Sequence, residues 1–162
     1  MKKRGRKPSS RTYTIMLKGL SRAERTRDFN PVKTALLIYN SISAPNSTVD
    51  LNVIHSNAML DVCSRQGDMT TLWRVAGDMP EEGPGSPDAR TYTIILRTIR
   101  DECRKRVARM DPNDLDKIQR SKARAIKEGK KLWPDIVQQW AKGSLELDNV
   151  VVHAMATLLL EG

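Results

Sequence analysis

Residues 11–20 read RTYTIMLKGL, and residues 90–99 read RTYTIILRTI. A chain that writes nearly one phrase twice, 79 positions apart, is constrained by that duplication more than by anything else in it. Internal repetition points to one supersecondary unit stacked on copies of itself. Both copies sit in a helical pattern. Asn30-Pro31 reads as an N-cap followed by a proline at the first helical position, where its missing N–H costs little. Val32, Ala35, Leu36, Tyr39 and Ile42 then share one helix face. SAPNST breaks that helix, Val53 to Cys63 forms the next, and RQGD turns the chain. Met69, Leu72, Val75, Ala76 and Met79 make another one-sided helix, and PEEGPGSPD is a dense Gly/Pro break. Tyr92 to about Arg100 repeats the opening helix.

A charged stretch follows from Asp101 to Lys131, with eleven basic residues against six acids. Within it, Asp111-Pro112 and Asp114 mark a helix start. Trp133, Ile136, Val137 and Trp140 give a further apolar face, with Pro134 expected to start or kink a helix there and Gly143 to stop it. Asn149 opens a last helix. The sequence ends inside an apolar helical run, VVVHAMATLLL, so it is expected to be a fragment of a longer protein. No alternating strand pattern occurs. The fold class expected is all-α, an α-solenoid of helix-turn-helix hairpins carrying a charged helical insertion.

The formal net charge of +9 and a pI near 9.8 favour a polyanionic partner: RNA, DNA or an anionic membrane surface. Six Lys or Arg and no acid fall in the first eleven residues, MKKRGRKPSSR. They read as a basic tail, residues 1–9, in which KRGRKP is similar to an AT-hook or a nuclear localisation patch. The tail lacks the apolar h-region of a secretory signal. No apolar run is long enough to span a membrane. Cys63 and Cys103 fit neither a metal spacing nor a disulfide framework, and are expected to be buried thiols. No HExxH, phosphate loop, Cys-x-x-Cys or Ser-His-Asp set is present, so neither an enzyme, nor a metal site, nor a cofactor is expected.

Aligned by its turns, the second unit runs from Val53 to Asp88, 36 residues. Its turn is RQGD, its second helix is rich in Ala and Leu and ends at Met79, and it closes on Pro87-Asp88. ARTYTIILRTI then restarts the first helix. This organisation resembles the pentatricopeptide repeat family, RNA-binding helical-hairpin repeats. The Trp-Leu-Gly-Tyr pattern of the neighbouring tetratricopeptide repeats is absent. Ser10–Asp50 spans 41 residues, with extra residues around SRAERTRDFN. Ala89–Asp148 spans 60, with an insertion at about 101–131 and no proline before its final Asp. Residues 149–162 would be the first helix of another unit, giving about three and a half repeats. Units so laden with insertions look most like fungal mitochondrial members of the family. The resemblance therefore implies a mitochondrial location, with the nucleus as the alternative suggested by the tail.

The resemblance also implies site residues. One base is read per repeat by the residue after the Tyr position of the first helix together with the last residue of the repeat. These pairs are Thr14 with Asp50, Asn57 with Asp88, and Thr93 with Asp148. The family's pairing makes them readers of guanine, uracil and guanine. Arg11, Ile54 and Arg90 occupy the base-wedging position, where arginine can stack its guanidinium on a base. In the partial unit, Val150 and His153 take the wedging and reading places. Read without the resemblance, the three threonine and asparagine positions are exposed polar residues near helix starts, and the three aspartates are helix N-caps. Tyr13 and Tyr92 are expected between helices, Trp73, Trp133 and Trp140 in the core, and His55 at or near the surface.

A phosphate-contacting surface is expected from the charged stretch. Arg104, Lys105, Arg106 and Arg109 cluster on about two turns. Lys117, Arg120, Arg124, Lys127 and Lys131 recur at three- and four-residue steps and share one stripe. The expected partner is single-stranded RNA, a mitochondrial transcript or an rRNA, and ribosomal proteins or further repeats of the same protein would lie beside it. Two rivals use the same residues differently: a structural adaptor contacting rRNA phosphates, and a DNA-associated factor using the tail.

Overall fold

The computed structural model describes residues 7–161, and every regular element among them is an α-helix. In order these are α1 (Ser10–Ser21), α2 (Pro31–Ile42), α3 (Val53–Gln66), α4 (Met69–Gly77), α5 (Ala89–Val107), α6 (Leu115–Ala141) and α7 (Asn149–Leu159). The chain divides into two units, Met1–Pro87 and Asp88–Gly162. None of the described helices is long and apolar enough to cross a membrane. Most of the basic tail lies outside the described residues.

The duplicated phrase is realised as a duplicated helix start. Ser9 caps α1, with Thr12 at the third helical position returning a hydrogen bond to the cap backbone. Asp88 and Thr91 form the same reciprocal box at α5, where the Thr91 N–H donates to the Asp88 carboxylate at 2.8 Å. Asn52 and His55 form it a third time at α3. Each box satisfies N–H groups that a helix leaves without partners in its first turn. α2 begins as its sequence demands, with the Asn30 side chain accepting from Val32 and Lys33 N–H ahead of Pro31. The RQGD turn closes one helix and opens the next. Gly67 sits at φ 69°, a left-handed conformation that suits glycine, and the Asp68 side chain then caps α4.

In the first unit, α1 pairs with α2 and α3 with α4, and α3 also packs against both α1 and α2. Leu17, Ala35, Ile42, Met59, Leu60, Val62, Cys63 and Leu72 are buried at this junction. The Tyr39 hydroxyl meets Ser56 Oγ at 3.0 Å, and burial raises the phenol above its ordinary value. His55, expected near the surface, is instead fully buried. Its Nδ1 accepts from the Asn52 N–H at 3.3 Å, which leaves the ring proton on Nε2 for Ser10, whose hydroxyl and carbonyl oxygens lie at 3.0 and 3.2 Å. The imidazole thus caps α3 and ties it to the start of α1 at once.

The second unit repeats the plan: α5 pairs with α6, and α7 packs on both. Pro134 does not start a helix here; α6 runs through it from Leu115 to Ala141. Proline forfeits one backbone bond. Burial of Ser121, Ala125 and Gly129 before it and of Ile136 after it keeps one helix face on the core. The inserted residues lengthen α5 and α6 rather than forming a separate body, with residues 108–114 as the turn between them. α6 and α7 approach closely at Gly129, where an added Cβ would lie 2.3 Å from Leu158 Cδ2 and 3.5 Å from Leu96 Cδ2.

Because Leu158 and Leu96 are fully buried, Gly129→Ala is expected to lower stability in chemical denaturation. Overpacking costs about 1–3 kcal/mol, against the roughly 1 kcal/mol that alanine gains in a helix. Gly19→Ala in α1, where nothing lies within 4 Å of the added Cβ, is expected to do the opposite and gain about 0.5–1 kcal/mol. Both cysteines are free and buried, and burial, aided by Asp68, pushes the Cys63 thiol up to about 12. Ellman's reagent at pH 8 should therefore find no reactive thiol until denaturant is added.

Candidate nucleic-acid interface

The shared helix start places comparable residues at comparable positions. The second helical residue of α1, α3, α5 and α7 is Arg11, Ile54, Arg90 and Val150, and all four are exposed. The first unit thus exposes an arginine and an isoleucine at this helix position, and the second an arginine and a valine. The residue three places on is more enclosed. Thr14 is half-buried and donates its hydroxyl to the Ser10 carbonyl at 3.1 Å. Asn57 and Thr93 are 3% and 5% exposed, so neither is the exposed polar residue that its helix position suggested. Thr93 Oγ1 has no hydrogen-bond partner despite its burial. Only His153 of this set is exposed.

The aspartates divide. Asp88 and Asp148 are N-caps, of α5 and α7, each with a carboxylate oxygen accepting backbone N–H. Asp50 is exposed and caps nothing, because Asn52 starts α3. Tyr92 is buried as expected, its hydroxyl accepting from Gln139 Nε2 at 2.9 Å. The tryptophans are not core: Trp140 is 54% and Trp73 36% exposed. Trp133 is half-buried, lining with Pro134, Val152, Met155 and Leu159 an apolar groove between α6 and α7.

Of the nine expected phosphate-contacting residues, all are exposed, but five have carboxylate partners. Arg104 meets Glu161, beyond α7. Lys105 meets Glu102 at 2.7 Å, Lys117 meets Asp114 at 2.6 Å, Arg124 meets Glu128 at 3.1 Å and Arg120 meets Asp116 at 4.0 Å. The hydrogen bond between Lys117 and Asp114 lowers the carboxyl and raises the ammonium relative to their ordinary values. Among the described residues, Arg106, Arg109, Lys127 and Lys131 have no carboxylate within 4.0 Å. Exposed pairs of this kind are weak, screened by water and salt. Lys117, Arg120, Arg124, Lys127 and Lys131 are exposed on α6, off the face that buries Ser121, Ala125 and Gly129.

Lys18 and Arg22 were missed in the sequence. They lie seven and eleven residues after Arg11, a spacing that puts Lys18 on the same face of α1 as Arg11 and Arg22 in line with them at its C-cap, and all are exposed. No group of three or more His, Cys, Asp or Glu suited to a metal ion occurs among the described residues. No family model matches the chain, and no curated protein matches it significantly in sequence.

Asp88→Ala is expected to destabilise the protein by about 0.5–2 kcal/mol through loss of the α5 cap, whereas Asp88→Asn, an equally good cap, leaves stability nearly unchanged. Asp50→Ala should move it by less than about 0.5 kcal/mol. Thermal or urea melts of the three variants check this and show which aspartate can be altered in a binding assay without disturbing the helix start.

Proposed function

We propose that the chain is a pentatricopeptide-like helical-repeat protein that binds single-stranded RNA in mitochondrial RNA processing, stability or translation. The observation that supports this is the recurrence of one capped helix start at α1, α3, α5 and α7, each with its second residue exposed. On this reading α1/α2, α3/α4 and α5/α6 are successive hairpins of a solenoid, and α7 opens the next. Arg11, Ile54, Arg90 and Val150 wedge between bases. Asn57 with Asp88 takes a uracil, and the Thr14/Asp50 and Thr93/Asp148 pairs take guanines. The exposed cations carry the phosphates, and no catalytic role is assigned. The RNA is a mitochondrial transcript or an rRNA.

One observation favours a second reading. Asn57 and Thr93 are more than nine-tenths buried while the cations stand exposed, which suits contact with phosphates better than contact with base edges. The chain is then a structural adaptor in a ribonucleoprotein, resting on rRNA through its basic residues and on ribosomal proteins or further repeats through its helices.

RNA selection from a random single-stranded pool at moderate salt, with Asn57→Thr run in parallel, separates the two. Base reading predicts a short motif in which one position moves from U toward G in the variant. Binding with no motif, and an affinity that falls linearly with salt on logarithmic axes, would replace it with the adaptor.

A further inference from the structure

Residues 1–27 carry ten Lys or Arg against a single acid, Glu24. Residues 28–87 carry three against seven, and residues 88–162 carry fifteen against eleven. The densest positive charge is therefore at the start of the first unit and not on α6. The fold displays part of it on a fixed platform. His55 holds the start of α1 through Ser10, and Gln66 Nε2, at the end of α3, donates to the Ala23 carbonyl at 2.9 Å just past the end of α1. Leu17 and Ser21 are buried on the inner side.

Arg11, Lys18 and Arg22 share the outer side, about 10 Å separating the first from the second at 1.5 Å per residue. The turn that follows carries Arg25 and Arg27, both exposed, and is closed by the Thr26 N–H donating to the Phe29 carbonyl at 3.0 Å. Among the described residues, none of these five cations has a carboxylate within 4.0 Å. Arg100, Arg104 and Lys105 of α5 and Lys117, Arg120 and Arg124 of α6 do have one. A phosphate arriving at α1 thus displaces no ion pair. Four of the five are arginines, whose planar guanidinium grips a phosphate with two parallel N–H groups and stacks on a base.

We propose that the outer face of α1 and the turn behind it form the main phosphate-binding surface for single-stranded RNA, ahead of the α6 stripe. The proposal rests on the RNA-binding reading above and names the surface that carries it. An anionic membrane is the less suitable partner. The apolar side of α1 is already spent on the core, leaving Ile15 and Met16 as its only exposed large apolar side chains, too little for an interfacial helix to bury.

The test titrates the full chain against a fluorescein-labelled oligouridylate over a range of salt concentrations. One variant carries Arg11→Gln, Lys18→Gln and Arg22→Gln, and a matched one carries Arg120→Gln, Lys127→Gln and Lys131→Gln. Circular dichroism and melting confirm the fold of both. The α1 variant should bind at least about tenfold more weakly at low salt, with a salt slope reduced by about 2, since each single-strand phosphate contact contributes about 0.7. The α6 variant should lose less on both measures. A greater loss in the α6 variant overturns this inference and leaves RNA binding standing. Failure of the unaltered protein to bind RNA at low salt overturns the RNA-binding reading itself. If that protein instead binds phosphatidylserine vesicles, and the α1 variant does not, the surface belongs to a membrane.

Discussion

Two helices laid side by side hide only the strip along which they touch, and each keeps an apolar flank that water would otherwise cover. The units of this chain depend on closing that gap with a third helix. α3 rests on α1 and α2 together, and α7 on α5 and α6. The third helix is what makes a core: Met59, Leu60 and Cys63 of α3 are buried along with Leu17 and Ala35 in one unit, and Val151 and Leu158 of α7 along with Leu96 in the other. Fully burying a leucine is worth about 1.5–3 kcal/mol, a large share of the roughly 5–15 kcal/mol by which a small domain is stable. The polar contacts are fitted around this packing. Ser56 meets Tyr39, and Gln139 meets Tyr92, each relieving a buried hydroxyl that would otherwise be costly.

Where the helices begin was written in local chemistry and could be read directly. Asn30 before Pro31, Asp114 and Asp148 cap as their sequence neighbourhoods dictate, since a cap needs only a short polar side chain two or three residues ahead of the N–H groups it serves. What could not be read was anything decided by a residue distant in the chain. Pro134 looked like a helix start or a kink because the local rule was all there was to go on. The helix does not start there: α6, packed on α5 and α7, runs through it. His55 looked like a surface residue because its partner, Ser10, lies 45 positions away. Trp140 follows the helical period of the core, yet no described element covers it.

The candidate site shows the same division more sharply. Residue type and spacing were enough to find the cations of α5 and α6, but not to say which of them are engaged. Arg104 belongs to Glu161, 57 residues further on, and no pattern within α5 announces that. Asp88 shows how one residue carries two demands: the carboxylate expected to face a base also accepts the N–H of Thr91. Burial separates positions that the repeat pattern treats as equivalent, so that the exposed His153 stands where Asn57 and Thr93 are enclosed.

The way each third helix closes on the hairpin just before it also sets how the protein is made. The main helix contacts join first and second neighbours in sequence, which limits the entropy lost in bringing partners together. Chains with such local topology fold quickly. The first unit is complete at Pro87 and can close on a ribosome while α6 and α7 are still unmade. An error or delay in the second half, such as the long α6, then leaves a finished first unit in place, already presenting the outer face of α1.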